Sequence, residues 1–113
     1  MNAGMVVGAT IFAMVALVMV IIGIVQFVQR NEPVGFYNVI APPKKEEITD
    51  IVMWNRQHGI IWILYGVCIE LGFWLGALMP SEMWGTVFMI GGVVIPLPFM
   101  ILRHHSLVKR YGK

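Results

Sequence analysis

The sequence has few charged residues. Asp, Glu, Lys and Arg make up 12% of its 113 residues, whereas hydrophobic residues make up 58%. A soluble domain usually has about 25% charged residues. A lipid environment requires such a shortage, because each charge moved into hydrocarbon costs several kcal/mol. The composition therefore argues against an ordinary soluble domain and predicts an integral membrane protein.

Cysteine and the common catalytic motifs are also scarce. The single cysteine, Cys68, cannot form an intramolecular disulfide, and it lies inside an apolar run, where we interpret it as a small core residue. The sequence has no G-x-S-x-G motif, no P-loop, no H-E-x-x-H motif and no paired carboxylates within its apolar segments. We therefore expect no enzymatic activity and no cofactor.

Basic residues are absent from one side of the three apolar segments, which cover about residues 3–28, 59–79 and 83–102. Neither the stretch before Arg30 nor the link 80–83 has a Lys or Arg. Lys and Arg beside transmembrane helices are retained on the cytoplasmic side. The pattern predicts an N-terminus outside and a C-terminus in the cytoplasm. The eight basic residues are Arg30, Lys44, Lys45 and Arg56 between the first two segments, and Arg103, Lys109, Arg110 and Lys113 after the third.

These segments predict one all-α membrane domain over residues 1–113, a bundle of three transmembrane helices. The short link makes the second and third helices an antiparallel hairpin. The loop 29–58 should lie on the inner side. From Lys44 it predicts a short amphipathic helix, either separate or continuous with the second segment. The basic tail 103–113 should contact anionic membrane lipids, and we expect no nucleic-acid partner.

Glu70 is the most informative side chain, because it lies near the middle of the second apolar segment with no basic residue at that depth. We expect it to be largely neutral at pH 7 or to face water. Pro96 has no N–H, so the carbonyl of Gly92 loses its helical partner. Gly92 should lie at a similar depth in the hairpin. We therefore predict a hydrogen bond between Glu70 and the backbone near Gly92.

Small residues predict close helix contacts on two sides of the second segment. On a helical wheel, Gly59 and Gly66 share the face of Glu70, which favours close packing there. The neighbours could be the other two segments or a second subunit. The pairs that could form a homo-oligomer interface are Gly72 and Gly76, on the opposite face, and Gly4 and Gly8 in the first segment.

Three histidines are expected at the inner side. His58 begins the second segment, and His104 and His105 follow the third. Antiparallel packing could bring them within reach of one another and so form a transition-metal site. Histidines at helix ends are more often interfacial or capping residues, so we predict no metal site.

The inner loop carries the most motif-like part of the sequence. Residues 35–38 read Gly-Phe-Tyr-Asn, and residues 54–59 read Trp-Asn-Arg-Gln-His-Gly as the next helix opens. This arrangement resembles the loop of the SdpI-like immunity proteins and of allied small bacterial membrane proteins, over about 30 residues. The resemblance implies protection against a membrane-active peptide, or signalling from it.

The residues themselves support a narrower hypothesis. Asn38, Asn55 and Arg56 are polar groups between two helix ends, where they could bind a lipid headgroup, a peptide or a protein partner. Alternatively, they could anchor a turn through its own hydrogen bonds. We predict a non-enzymatic binding or accessory protein of the membrane. The alternative is a homo-oligomeric transporter or channel that uses Glu70.

Overall fold

The computed structural model describes residues 2–35 and 42–113, which are all-helical and contain no β-strand. Helix α1 is Ala3–Val28, α2 is Ile51–Ala77, α3 is Glu82–Val94 and α4 is Pro96–Tyr111, with a single 3₁₀ turn at Lys45–Glu47. Helices α3 and α4 together form a third long helical stretch; Ile95 between them keeps α-helical torsion angles, and its amide donates to the Gly91 carbonyl. Three helical stretches are therefore long and apolar enough to cross a membrane, as the sequence predicts.

Local sequence signals set the starts of α1 and α2. The side chain of Asn2 accepts a hydrogen bond from the Met5 amide (2.7 Å), and Asp50 does the same for Met53 (3.1 Å). Both are typical N-caps, which satisfy amides that have no partner within the helix. Pro96 is the first residue of α4, and because it has no N–H, the Gly92 carbonyl loses the helical hydrogen bond that this position would otherwise donate.

The predicted amphipathic segment is not a separate helix: from Ile51 it is continuous with α2, which is one of the two predicted alternatives. Two helices also extend further than predicted. Helix α2 begins at Ile51 rather than near residue 59, and α4 continues to Tyr111, so most of the predicted basic tail is helical. The reason is mutual pairing: the Thr49 amide donates to the Tyr111 carbonyl (2.8 Å) and the Lys113 amide to the Glu47 carbonyl (2.8 Å). These two hydrogen bonds join the segment before α2 to residues 111–113.

Helix α2 packs against α1 through small residues. A Cβ atom placed on Gly59 would lie 2.5 Å from the carbonyl oxygen of Gly23, and one on Gly23 would lie 2.5 Å from that of Gly59. A Cβ atom on Gly66 would lie 2.7 Å from the carbonyl oxygen of Ala16. The two backbones are therefore in direct contact, which only small residues permit.

The opposite face of α2 packs against α3 in the same way. Gly72 meets the Cα atom of Gly92, and Gly76 meets the carbonyl of Gly85. The prediction of close packing on two sides of the second helix is confirmed, with both neighbours in the same chain. Gly72 and Gly76 are buried there, so this face is not open to a second copy. In α1, Gly8 faces Phe73 of α2.

All eight basic residues gather at one end of the bundle, which measures 53 × 21 × 21 Å. We call this the basic end; it holds the C-terminus of α1, the N-terminus of α2 and the C-terminus of α4. Contacts between α2 and α4 join it: the Arg103 guanidinium donates to the Gln57 side-chain carbonyl (3.1 Å), and Thr49 bonds to Tyr111. Lys44 and Arg110 therefore lie at the same end, as the predicted topology requires.

Candidate functional site

Glu70 lies in a groove between α1 and α2, 19 residues after the start of α2 and seven before its end. We call this the Glu70 groove. It has a volume of about 470 Å³ and opens to the surroundings. Apart from Glu70 and Trp74 of α2, all of its lining residues belong to α1: Ala9, Thr10, Ala13, Met14 and Leu17.

The predicted bond between Glu70 and the backbone near Gly92 is absent. Instead, the Glu70 carboxylate accepts a hydrogen bond from the Trp74 indole (3.1 Å), one turn later on the same helix. Gly92 does pack beside α2 near Glu70 along the chain, but on the other face of that helix. Gly92 packs on Gly72, and residues two apart on a helix point about 200° apart. Glu70 therefore faces α1, away from Gly92.

Tyr65, and not Glu70, makes the hydrogen bond from α2 to the backbone near Gly92. This buried side chain donates its hydroxyl hydrogen to the carbonyl of Val93 (2.8 Å), next to Gly92 and near the junction of α3 and α4. Tyr65 was not among the predicted site residues, because the charge of Glu70 is the stronger signal in an apolar segment. The signal for Tyr65 was present: a tyrosine on the face of Gly72, opposite a proline-containing segment.

Two small residues of α1 make the Glu70 groove accessible to another helix. Ala9 and Ala13 are four residues apart and both line the groove. Small residues at this spacing let a second helix approach closely. In the sequence they do not stand out, because the first segment has many small residues. Only their position beside Glu70 separates them from the others.

Asn55 is used by the fold itself. It is completely buried, and its side-chain oxygen accepts from the Val34 amide (2.9 Å). Its amide nitrogen donates to the carbonyls of Gln29 (3.0 Å) and Glu32 (2.9 Å). All three bonds reach the loop that follows α1. Asn55 therefore anchors the loop through hydrogen bonds within the protein, which is the second of the two predicted alternatives. Its side chain is not exposed to a ligand.

A cluster of aromatic and histidine rings lies beside Asn55 at the basic end. The Trp54 indole donates to the Val34 carbonyl (3.0 Å), and its ring centroid is 4.2 Å from that of His58. His58 is completely buried; its Nδ1 is 2.8 Å from the Trp54 carbonyl, and its Nε2 is 2.9 Å from Nδ1 of His104. Trp54 is therefore buried and is not an interfacial side chain.

A hydrogen bond joins His58 and His104, and the contacts of His58 show which ring nitrogen donates. A carbonyl only accepts, so Nδ1 of His58 carries a proton; in the neutral ring its Nε2 is then an acceptor, and Nδ1 of His104 donates to it. The predicted approach of His58 and His104 is thus found, with a hydrogen bond in place of a shared ion. Within residues 2–35 and 42–113 no group of three potential metal ligands is present.

The remaining predicted site residues stay apart from the Glu70 groove. The Arg56 guanidinium lies over the ring of Phe27, 5.5 Å from its centroid, at the basic end. Asn38 lies outside the described residues. The structure therefore does not unite the predicted binding residues in a single site: Asn55 and Arg56 are in the first two turns of α2 at the basic end, whereas Glu70 is seven residues before the other end of this helix.

Comparisons with known proteins gave no match: no protein-family model matches the chain, and no curated protein and no solved structure is significantly similar to it. The resemblance of the inner loop to the SdpI-like proteins therefore stays a prediction. The class that the fold defines is an all-helical protein with three helical stretches long and apolar enough to span a membrane.

Proposed function

We propose that the chain is an integral membrane protein that crosses the bilayer three times, with the basic end in the cytoplasm and the N-terminus outside. The three apolar helical stretches support the crossings. The collection of all eight Lys and Arg residues at the basic end supports the orientation, because such residues are retained on the cytoplasmic side.

Within that membrane, we propose that the protein is non-enzymatic and binds another membrane-inserted helix in the Glu70 groove. The observation that carries this proposal is the direction of Glu70: its carboxylate faces an open groove beside α1 and contributes no bond between helices of the bundle. Ala9 and Ala13 give a second helix room to approach. The fold thus leaves a polar group at mid-depth that a partner can satisfy.

The energetics favour a partner with a cationic or hydrogen-bond-donating side chain. An acidic side chain at the centre of a transmembrane helix costs about 2.5–3.5 kcal/mol. The Trp74 indole offsets part of this cost, and each carboxylate oxygen can accept more than one bond. A donor on a partner helix would recover about 1–2 kcal/mol. A Lys, Arg or Ser near the partner's midpoint would therefore be preferred over an apolar residue.

The immunity hypothesis is the specific form of this proposal. A membrane-active peptide that inserts across the bilayer as a helix with a cationic side chain would supply both the helix and the donor. Glu70 would then hold the peptide within the bilayer against α1. The support is the chemistry of the groove, together with the resemblance of the inner loop.

A peptide-capture experiment tests the proposal. The purified protein is reconstituted in vesicles with a biotinylated Leu/Ala transmembrane peptide of about 20 residues that carries one central Lys, or with the same peptide carrying a central Leu. We expect capture by the Lys peptide to be about fivefold to thirtyfold stronger. Glu70→Gln should reduce this difference, whereas Glu82→Gln, an exposed acid at the start of α3, should leave it unchanged.

Equal capture of the two peptides, or an unchanged preference in Glu70→Gln, would refute helix binding at Glu70. The alternative function is tested in the same vesicles. A homo-oligomer that moves protons or ions through Glu70 should show a flux that Glu70→Gln abolishes. That result, without peptide capture, would assign the protein as a transporter or channel.

A further inference from the structure

A second groove lies on the other side of α2, against α3 and α4. It consists of two apolar cavities of about 400 and 460 Å³ that share Cys68, Ile95 and Pro96. We call it the Pro96 groove. It lies beside the position where Pro96 removes a backbone hydrogen bond from the third helical stretch. The groove is separate from the Glu70 groove, with which it shares no lining residue.

The Pro96 groove runs along the bundle, parallel to the proposed membrane normal. Its lining residues on α2 extend from Ile61 to Leu75, which corresponds to about 21 Å at 1.5 Å per residue. One leaflet of the hydrocarbon core is about 15 Å thick, half of the total. The groove is therefore long enough to hold an acyl chain along its whole depth in one leaflet.

Arg103 ends the groove on the cytoplasmic side. It lines the cavity nearer the basic end, and its side chain is exposed. One guanidinium N–H group donates to the Gln57 side chain at 3.1 Å, which orients the charge. A guanidinium has five N–H donors and suits the two oxygens of a phosphate. An apolar channel that ends in such a group has the chemistry of a phospholipid tail and its anionic head.

We propose that the Pro96 groove binds one anionic phospholipid of the cytoplasmic leaflet, with an acyl chain against Cys68 and Ile95 and its headgroup at Arg103. This inference uses the proposed membrane orientation but not the function of Glu70. The charge of Arg103 selects an anionic over a zwitterionic head, and the cavities accept the chain.

Native mass spectrometry of the detergent-purified protein tests this site, with phosphatidylglycerol and phosphatidylcholine of identical acyl chains as probes. We expect one phosphatidylglycerol molecule to bind about fivefold more tightly than phosphatidylcholine, because both heads offer the phosphate and only their net charge differs. Arg103→Gln should remove this preference, and Arg103→Lys should retain part of it. Arg30→Gln is the matched control, because it removes a charge at the basic end but outside the groove, and it should bind as the wild type does.

A second variant tests the apolar part of the groove. Leu64 lines the cavity nearer Arg103 and is 57% exposed, so Leu64→Trp can fill the cavity without disturbing the core. It should weaken both lipids. Equal binding of the two lipids to the wild type, an unchanged preference in Arg103→Gln, or unchanged binding in Leu64→Trp would overturn the proposal. A lipid-independent dimer that Leu64→Trp disrupts would also overturn it. Glu70→Gln should leave lipid binding intact, so failure here is distinct from failure of peptide capture.

Discussion

Replacing Asn55 with alanine should release the loop of residues 29–35 from the start of α2. The Asn55 side chain makes three hydrogen bonds to backbone groups of that loop and is completely buried. The substitution removes all three bonds, so the Val34 amide and the carbonyls of Gln29 and Glu32 lose their hydrogen bonds to Asn55. Local opening of the loop should therefore become much easier, while the three long helices remain formed.

The expected size follows from the bond count. Each such bond contributes about 1 kcal/mol net, so three bonds correspond to about 3 kcal/mol. Because 1.4 kcal/mol is a factor of ten, the population of the opened loop should rise roughly 100-fold. Arg30 lies in this loop and provides a trypsin site. When opening and closing are faster than cleavage, the cleavage rate follows the opened population.

Limited trypsin digestion of the detergent-purified protein measures this rate, with mass spectrometry identifying cleavage after Arg30. Asn31→Ala is the matched control, because it makes the same chemical change at an exposed position of the same loop. We expect Asn55→Ala to be cleaved up to about 100-fold faster than the wild type, and Asn31→Ala to be nearly unchanged. Equal rates for the two variants would refute the assignment of Asn55 as the anchor of the loop.

Two further predictions concern helix packing. Gly59→Ala should lower the free energy of unfolding by about 1–3 kcal/mol, because its Cβ atom would lie 2.5 Å from the carbonyl oxygen of Gly23. Gly91→Ala, whose Cβ atom would contact only a flexible side-chain end, should be nearly neutral in the same denaturation assay, and equal losses would contradict the packing. Tyr65→Phe should lower the free energy of unfolding by about 1 kcal/mol, because it removes the hydrogen bond to the Val93 carbonyl. It should also speed hydrogen exchange of the backbone amides around the α3–α4 junction. Unchanged exchange there would show that this bond does not hold the junction.

The sequence was informative about features that depend on neighbouring residues. The first apolar run predicts a helix over residues 3–28, and α1 is Ala3–Val28. Pro96 predicts the loss of a backbone hydrogen bond in the third helical stretch, because a proline removes a helical hydrogen bond wherever it occurs. The small residues on two faces of α2 predict two close neighbours, because the helical period alone fixes which residues share a face.

The sequence was less informative about which element meets each face. Glu70 and Gly92 have similar depths, but the bond between them required a rotation of α2 that its glycines exclude. The burial of Asn55 and the extension of α4 to Tyr111 depend on contacts between chain segments far apart in sequence. No local pattern contains those contacts.

The sequence by itself determined the three apolar helical stretches and the side on which every basic residue falls, because hydropathy and charge are properties of each segment alone. Only the tertiary structure decided three other features. Glu70 faces an open groove beside α1, Tyr65 donates a hydrogen bond to the Val93 carbonyl, and Arg103 lies at one end of an apolar groove. These depend on how helices rotate about their axes when their glycines bring the backbones into contact, and that rotation is a property of the packed pair.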